Sequence, residues 1–436
     1  MLIDILIRWN RWGTNPLSSG HLRQITSTLS PFLHSEEIVV LTGLRRSGKS
    51  TVLYQIMDSL IDQSIDQKAM LHINFEEPAL APYLNLKILD ELYDLYRSQI
   101  YPRGKAYLFL DEIQNIPEWE RWVRARNETE DIKIFITGSS GRLMSRELAT
   151  LLTGRHVSFE MFPLNMKELL QFFAIDLPPK PWPFAPPPLI QNSLNFKLKW
   201  GSLPKIVLAE QDIQREKLLS QYFDDILLKD IAMRHDIRDI TSLRAIAVHV
   251  LTQTGSLISF QRIAAIFNIS PVMAQNYCYY LQEAYLTELL PFYSLKAALR
   301  QRNPQKLHAT DLGIRNQVGL SGSIDQGRLI ESLVYNALKQ VKNDGIFYLK
   351  KEGEIDFLLR RNNNIVALIQ VVSDGLDNEK VFKRETKAFQ DLSDFPHAKL
   401  IIITNSRSIP KDIHLNTSAK IIPLWQFLLE PEIVLH

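Results

Sequence analysis

Gly43-Leu44-Arg45-Arg46-Ser47-Gly48-Lys49-Ser50 fits the spacing G-x-x-x-x-G-K-[ST] and follows directly on an apolar run at 38–42. Glycines there let the backbone pass close to phosphate oxygens, and N–H groups at a helix start attract their negative charge. The Lys49 ammonium can reach the β- and γ-phosphates, and the Ser50 hydroxyl can ligate magnesium. The spacing predicts a site for ATP and Mg2+ framed by Gly43, Arg46, Ser47, Gly48, Lys49, Ser50 and Thr51. About sixty residues on, the apolar run 107–110 ends in Asp111-Glu112. Asp111 would hold the magnesium, with Ser50, and Glu112 would act as general base on an attacking water.

A further apolar run at 132–137 ends in Thr137-Gly138-Ser139-Ser140, where Thr137 or Ser139 could sense the γ-phosphate. Arg142, Arg146 and Arg155 follow. Arg155, at the start of the next run, is the favoured arginine finger, a cation placed on the transition-state charge from a neighbouring subunit. Glu76 and Glu77 close the run 70–74 and are candidates for a role at the metal or water.

These residues need a scaffold, and the pattern of 36–160 supplies one. Apolar runs at 38–42, 70–74, 107–110, 133–137 and 156–161 alternate with amphipathic helical stretches, which predicts a parallel sheet flanked by helices. A proline-dense segment at 177–188 cannot be regular helix or central strand, and reads as a linker or an ordered extended loop. Residues 207–290 have helical period, and from about 325 the pattern returns to α/β.

Bulk composition bounds the function. The 436 residues suggest two to four domains, and 45% apolar with 22% charged residues is ordinary for globular cores. A net charge of +2 means that any nucleic-acid footprint must be local. The lone Cys278 forms no internal disulfide, and no Cys/His cluster has zinc spacing. No run approaches a membrane span, and the first residues carry Asp4 and Arg8 within their apolar stretch, so the expectation is a soluble, cytoplasmic protein without a membrane partner.

The strings GLRRSGKST, FLDEIQNIPEWE, ITGSSGRL and TGRHVSFEMFPLNMKELL resemble the prokaryotic AAA-type ATPases of the AAA_14 family, which carry a C-terminal domain of the DUF4143 type. GSLPKIVL and YFDDILLKDI extend the resemblance over nearly the whole chain. It implies a P-loop fold with Glu112 as the catalytic carboxylate.

Helices are predicted at 241–253, 259–267 and 270–284, with Ser259 and Ser270 as N-caps and a short turn between the last two. A strand at 286–293, a basic stretch at 294–306 and a return strand at 307–310 complete a winged-helix layout. Its wing would offer Lys296, Arg300, Arg302 and Lys306 to DNA phosphates. The presumed recognition helix offers Gln275, Asn276 and Gln282 but no Lys or Arg.

In the tail, Glu331 on a helix, Glu354-Ile355-Asp356 on a strand and Gln370 on the next resemble the PD-(D/E)XK nuclease core. That resemblance implies magnesium at Asp356 and Gln370, with Glu331 as a further ligand. Val372 stands where that family has its lysine and cannot steady a hydroxide, so cleavage is not expected unless Lys350, Lys351 or Lys387 substitutes.

The expected architecture is α/β: a P-loop AAA-type ATPase domain at 1–162, a helical lid with the proline-rich linker at 163–235, a winged-helix domain at 236–318 and a nuclease-like α/β tail at 319–436. The expected function is ATP hydrolysis coupled to binding, remodelling or moving along DNA, as a homo-oligomer such as a hexameric ring. The alternatives are a nucleotide-dependent signalling or defence switch with protein partners, and an ATP-regulated nuclease.

Overall fold

The computed structural model describes residues 2–13, 18–139, 141, 152, 154–319, 326–350, 353–376, 378–387, 389, 392, 394–408 and 419–435. Ser140, Arg142, Arg146 and Lys351 lie outside them. The chain divides into two compact units, one of residues 1–162 with 283–285 and one of residues 163–282 with 286–436.

The first unit is built on five parallel strands: β1 (Ile38–Gly43), β2 (Met70–Asn74), β3 (Ala106–Asp111), β4 (Ile132–Gly138) and β5 (His156–Met161), in the order β2-β3-β4-β1-β5. β1, β3 and β4 are buried along their whole length, which is why they read as continuous apolar runs. Successive side chains point to opposite faces. Accordingly Ala106, Leu108 and Leu110 join one core, while Tyr107 and Phe109 join the other with Val52, Leu53, Ile56 and Met57 of the Lys49–Asp62 helix. β2 is an edge strand, and its open edge is covered. Asn10, just after the Leu2–Trp9 helix, receives the His72 N–H at 2.6 Å and donates to the His72 carbonyl at 2.9 Å, much as a neighbouring strand would.

In the second unit the helices Ile240–Thr252, Phe260–Phe267 and Pro271–Glu283 accompany a small antiparallel sheet. Its strands are β6 (Ser256–Leu257), β7 (Thr287–Leu290) and β8 (Lys306–Ala309), in the order β6-β8-β7. Ser259 caps its helix through the Arg262 N–H, and Asn268 turns the chain in the left-handed region (φ 51°). The stretch expected as a basic wing is partly helical, at Ala297–Arg302, and its last residue opens β8.

A second sheet carries β9 (Gly345–Lys350), β10 (Glu354–Arg361), β11 (Asn364–Val372), β12 (Lys399–Thr404) and β13 (Lys420–Pro423), in the order β13-β12-β11-β10-β9. β9, β10 and β11 are antiparallel, and β11, β12 and β13 parallel. The segment 163–208 does not stand apart as a lid. Leu169, Ile190 and Leu194 share one core with Ile330, Val334, Phe357 and Phe427. The proline-dense stretch is an ordered strap: Trp182 packs against Trp425, whose Nε1 donates to the Phe184 carbonyl at 3.0 Å, and Gln426 donates to that of Pro183 at 2.8 Å. Among the described residues no helix is long and apolar enough to cross a membrane.

Candidate functional site

Parallel pairing brings the polar strand ends of the first unit to one edge. Thr42 lies opposite Gly138 and Asn74 opposite Asp111, while the pairing of Leu110 with Ile136 sets Asp111 beside Thr137. Ligands of open α/β sheets bind outside such carboxyl ends. The turn after β1 needs its glycines. At Gly43 (φ 135°) a Cβ would lie 2.2 Å from the Met161 carbonyl oxygen, and Gly48 has φ 100° at the start of the Lys49–Asp62 helix.

Lys49 is buried and donates to the carbonyls of Gly43 at 3.1 Å and Leu44 at 3.3 Å, with its Nζ also 3.5 Å from Glu112 Oε1. The hydroxyls of Thr42 and Ser47 are buried with no partner among the described residues. Buried polar atoms rarely stay unsatisfied, so this edge is suited to a polar ligand. Arg46 is exposed at φ 69°, whereas Arg45 is buried and pairs with Glu76 at 2.6 Å. Glu77 has no place at the metal. Its carboxylate receives Trp9 Nε1 at 2.8 Å and pairs with Arg8 at 3.2 Å, holding the first helix.

Asp111 is buried, and burial alone would push its carboxyl up. His72, Thr137 and Ser50 outweigh that and hold it below its ordinary value. The Thr137 hydroxyl donates to Asp111 Oδ1 and receives the Glu112 N–H at 2.9 Å. With its only proton given to Asp111, Thr137 orients the two carboxylate residues and is not arranged as a donor to a γ-phosphate. Glu112 sits in the left-handed region (φ 56°, ψ 45°), a conformation uncommon for this residue type. Its Oε2 accepts from Gln114 Nε2 at 2.6 Å, and the same amide nitrogen lies 3.4 Å from Ser139 Oγ. Gln114 and His72 escaped the sequence reading. The signal for His72 was a single imidazole inside the apolar run MLHIN; it is fully buried with its Nε2 3.8 Å from Asp111.

Arg155 lies at the opposite edge, since β5 begins there beside Ile38, and it pairs with Glu128 at 3.0 Å. Six residues of strand separate it from the phosphate turn, roughly 20 Å, so it cannot reach the site of its own chain.

In the second unit Lys296 and Arg302 are exposed and Arg300 is half-buried. Lys306 is the exception and corrects the DNA-contact expectation. It is 4% exposed, and its Nζ lies 2.6 Å from Glu331 Oε1, 2.6 Å from Glu354 Oε1 and 3.1 Å from Asp356 Oδ1. β8 alternates, so Lys306 and His308 share the face turned to the tail; His308 stacks on Tyr335 and meets Ser332 Oγ at 3.0 Å. Asp356 Oδ2 accepts the Val371 N–H at 2.9 Å. Gln370 turns its amide nitrogen to Glu385 at 3.1 Å, and its buried carbonyl oxygen has no partner among the described residues.

Burial, then the charge of Asp356, raise the Glu331 carboxyl to about 8 against the pull of Lys306. The raised value makes Glu331 stabilising where it is protonated in the folded chain. That contribution is full below its ordinary value of 4.5 and fades as pH rises to about 8. Wild type should therefore lose more thermal stability between pH 5 and pH 8 than Glu331→Gln, read by melting temperatures across that range. Parallel curves would refute the assignment.

The AAA_14 model, an AAA domain, matches residues 35–170, and two domains of unknown function follow, DUF8612 at 191–323 and DUF4143 at 326–427. The chain is 32% identical over 405 residues to the uncharacterized protein MJ1544 of Methanocaldococcus jannaschii, covering 90% of this chain and 88% of that one. It is 29% identical over 345 residues to an uncharacterized protein of Haemophilus influenzae, covering 78% and 83%. Among solved structures it is similar to the Orc1 protein of Aeropyrum pernix in complex with DNA, at 13% identity and a TM-score of 0.32, over 68% of this chain and 90% of that one.

Proposed function

This chain belongs to the same protein family as MJ1544 of Methanocaldococcus jannaschii and carries an AAA domain, and on that premise we propose that it hydrolyses ATP and couples turnover to DNA as a homo-oligomer. The observation that carries the proposal is the edge where Ser50, Asp111, Thr137 and Glu112 are joined by hydrogen bonds and Lys49 by its ion pair with Glu112. The glycine turn and Lys49 would bind the phosphates, and Ser50 with Asp111 would hold magnesium, which would supply charge neutralisation when bound. Glu112, held by Gln114, takes the proton of the attacking water. Arg155 serves a neighbouring subunit. Its exposed pair with Glu128 contributes only about 0.2–1 kcal/mol, so the guanidinium can exchange that partner at little cost.

DNA is assigned to the module of residues 236–318, read as a winged helix. Its three helices, its antiparallel order β6-β8-β7 and the surface cations Lys296, Arg300 and Arg302 support that reading. A protein-binding switch is the second reading. It is favoured by the exposed Val272, Met273 and Tyr279 on a helix without Lys or Arg, and by the withdrawal of Lys306 from the surface.

ATP turnover with duplex, single-stranded and four-way-junction DNA separates the two, with Glu112→Gln as the blank. Several-fold stimulation by one form of DNA, reduced in Lys296→Ala/Arg300→Ala/Arg302→Ala, is the expected result. Turnover indifferent to every DNA would transfer the assignment to the protein-binding switch.

A further inference from the structure

The tail's carboxylates have the residue types of a divalent-metal centre, and the geometry around them argues that no metal belongs there. Glu331 comes from the Gln326–Leu338 helix, and Glu354 and Asp356 from β10. Lys306 enters from β8, a strand of the other sheet, with its Nζ 2.6–3.1 Å from all three carboxylates. We infer that the Lys306 ammonium stands in the place of a divalent cation, turning the cluster into a closed ionic clasp between the two sheets of the second unit.

The charges and donors support this assignment. An ammonium carries three N–H donors and one charge, and here, itself 4% exposed, it faces three carboxyl groups, those of Asp356 and Glu331 largely buried and that of Glu354 35% exposed. A magnesium or manganese ion needs oxygens at about 2.0–2.2 Å on several sides, with waters completing the shell. It would have to enter where the ammonium already lies, and two cations so close in a low-dielectric interior repel strongly. The remaining oxygen of Asp356 is taken by the Val371 N–H, and Gln370, the second ligand expected from the nuclease resemblance, directs its amide to Glu385. Of the expected metal pair, Asp356 and Gln370, what is left over is one neutral amide oxygen, and Glu331 and Glu354 each already turn one oxygen to Lys306. Among the described residues no group of three or more His, Cys, Asp or Glu is arranged to hold a metal.

This assignment differs from loss of activity through Val372 alone. A nuclease core lacking its lysine would still bind metal, whereas a clasp filled by Lys306 would not. It is also independent of the nucleotide reading, because the probe is Mn2+ alone, without nucleotide.

Mn2+ binding to the full chain, followed by the EPR signal of the free ion, tests it in wild type, Glu331→Gln, Asp356→Asn and Lys306→Met. Wild type, Glu331→Gln and Asp356→Asn should take up Mn2+ alike. Lys306→Met should gain one ion bound at least tenfold more tightly than any in wild type, and lose it again when combined with Asp356→Asn. A wild-type Mn2+ that disappears in Glu331→Gln or Asp356→Asn would overturn the clasp. So would a folded Lys306→Met that takes up no additional ion, since Lys306 would then not be what excludes it. Should Lys306→Met fail to fold, wild type against Glu331→Gln decides: equal uptake supports the clasp and unequal uptake refutes it.

Discussion

Glu112→Gln is expected to lower ATP turnover by about 10²–10⁴-fold while ATP stays bound, the range a positioned general base contributes. The exchange is selective in this setting. Gln114 donates to Glu112 Oε2, and a glutamine side chain still offers a carbonyl oxygen to that amide, while Thr137 holds the backbone N–H of the same residue. Shape and anchoring therefore persist, and only the capacity to accept a proton is lost. Removing the negative charge also relieves repulsion with a triphosphate, so affinity for ATP should hold or rise. Single-turnover hydrolysis and nucleotide retention on a desalting column read the two parts separately. Equal turnover in the variant and wild type would eliminate Glu112 as the base.

Lys49→Ala should weaken ATP binding by about 100-fold or more. A hydrogen bond from a charged group contributes about 1.5–3 kcal/mol, roughly a factor of 10–150. The further loss is local. Lys49 is the cation that faces Glu112 at 3.5 Å and bonds the Gly43 and Leu44 carbonyls, so its removal leaves a carboxylate and two carbonyl dipoles facing the phosphates. Titration with a fluorescent ATP analogue checks this, and an unchanged Kd would detach Lys49 from the phosphates.

What could be read in the sequence followed how local each feature is. β1, β3 and β4 were legible because they are buried along their whole length and so appear as apolar runs; β2 and the half-buried edge strand β5 match the expected limits. Gly43 to Ser50 were legible because the turn is contiguous. Thr137 was noticed for its place at a strand end, but its part depends on the register between β3 and β4, which no single segment encodes. Lys306 was misread for a related reason. The nearby Lys296 and Arg302 are basic and exposed, while the acids that claim it lie at 331, 354 and 356. β6 and β13, of two and four residues, are set by pairing rather than by pattern, and they went unseen.

The proline strap has a consequence for how the chain is made. All five strands of the first unit have left the ribosome once Met161 has emerged, so its core can close early. Trp182 must wait for Trp425, some 240 residues later in translation. Contacts of such long range are closed slowly. Until then the apolar faces at 164–198 await their tail partners, so the core of the second unit closes only after nearly the whole chain has emerged.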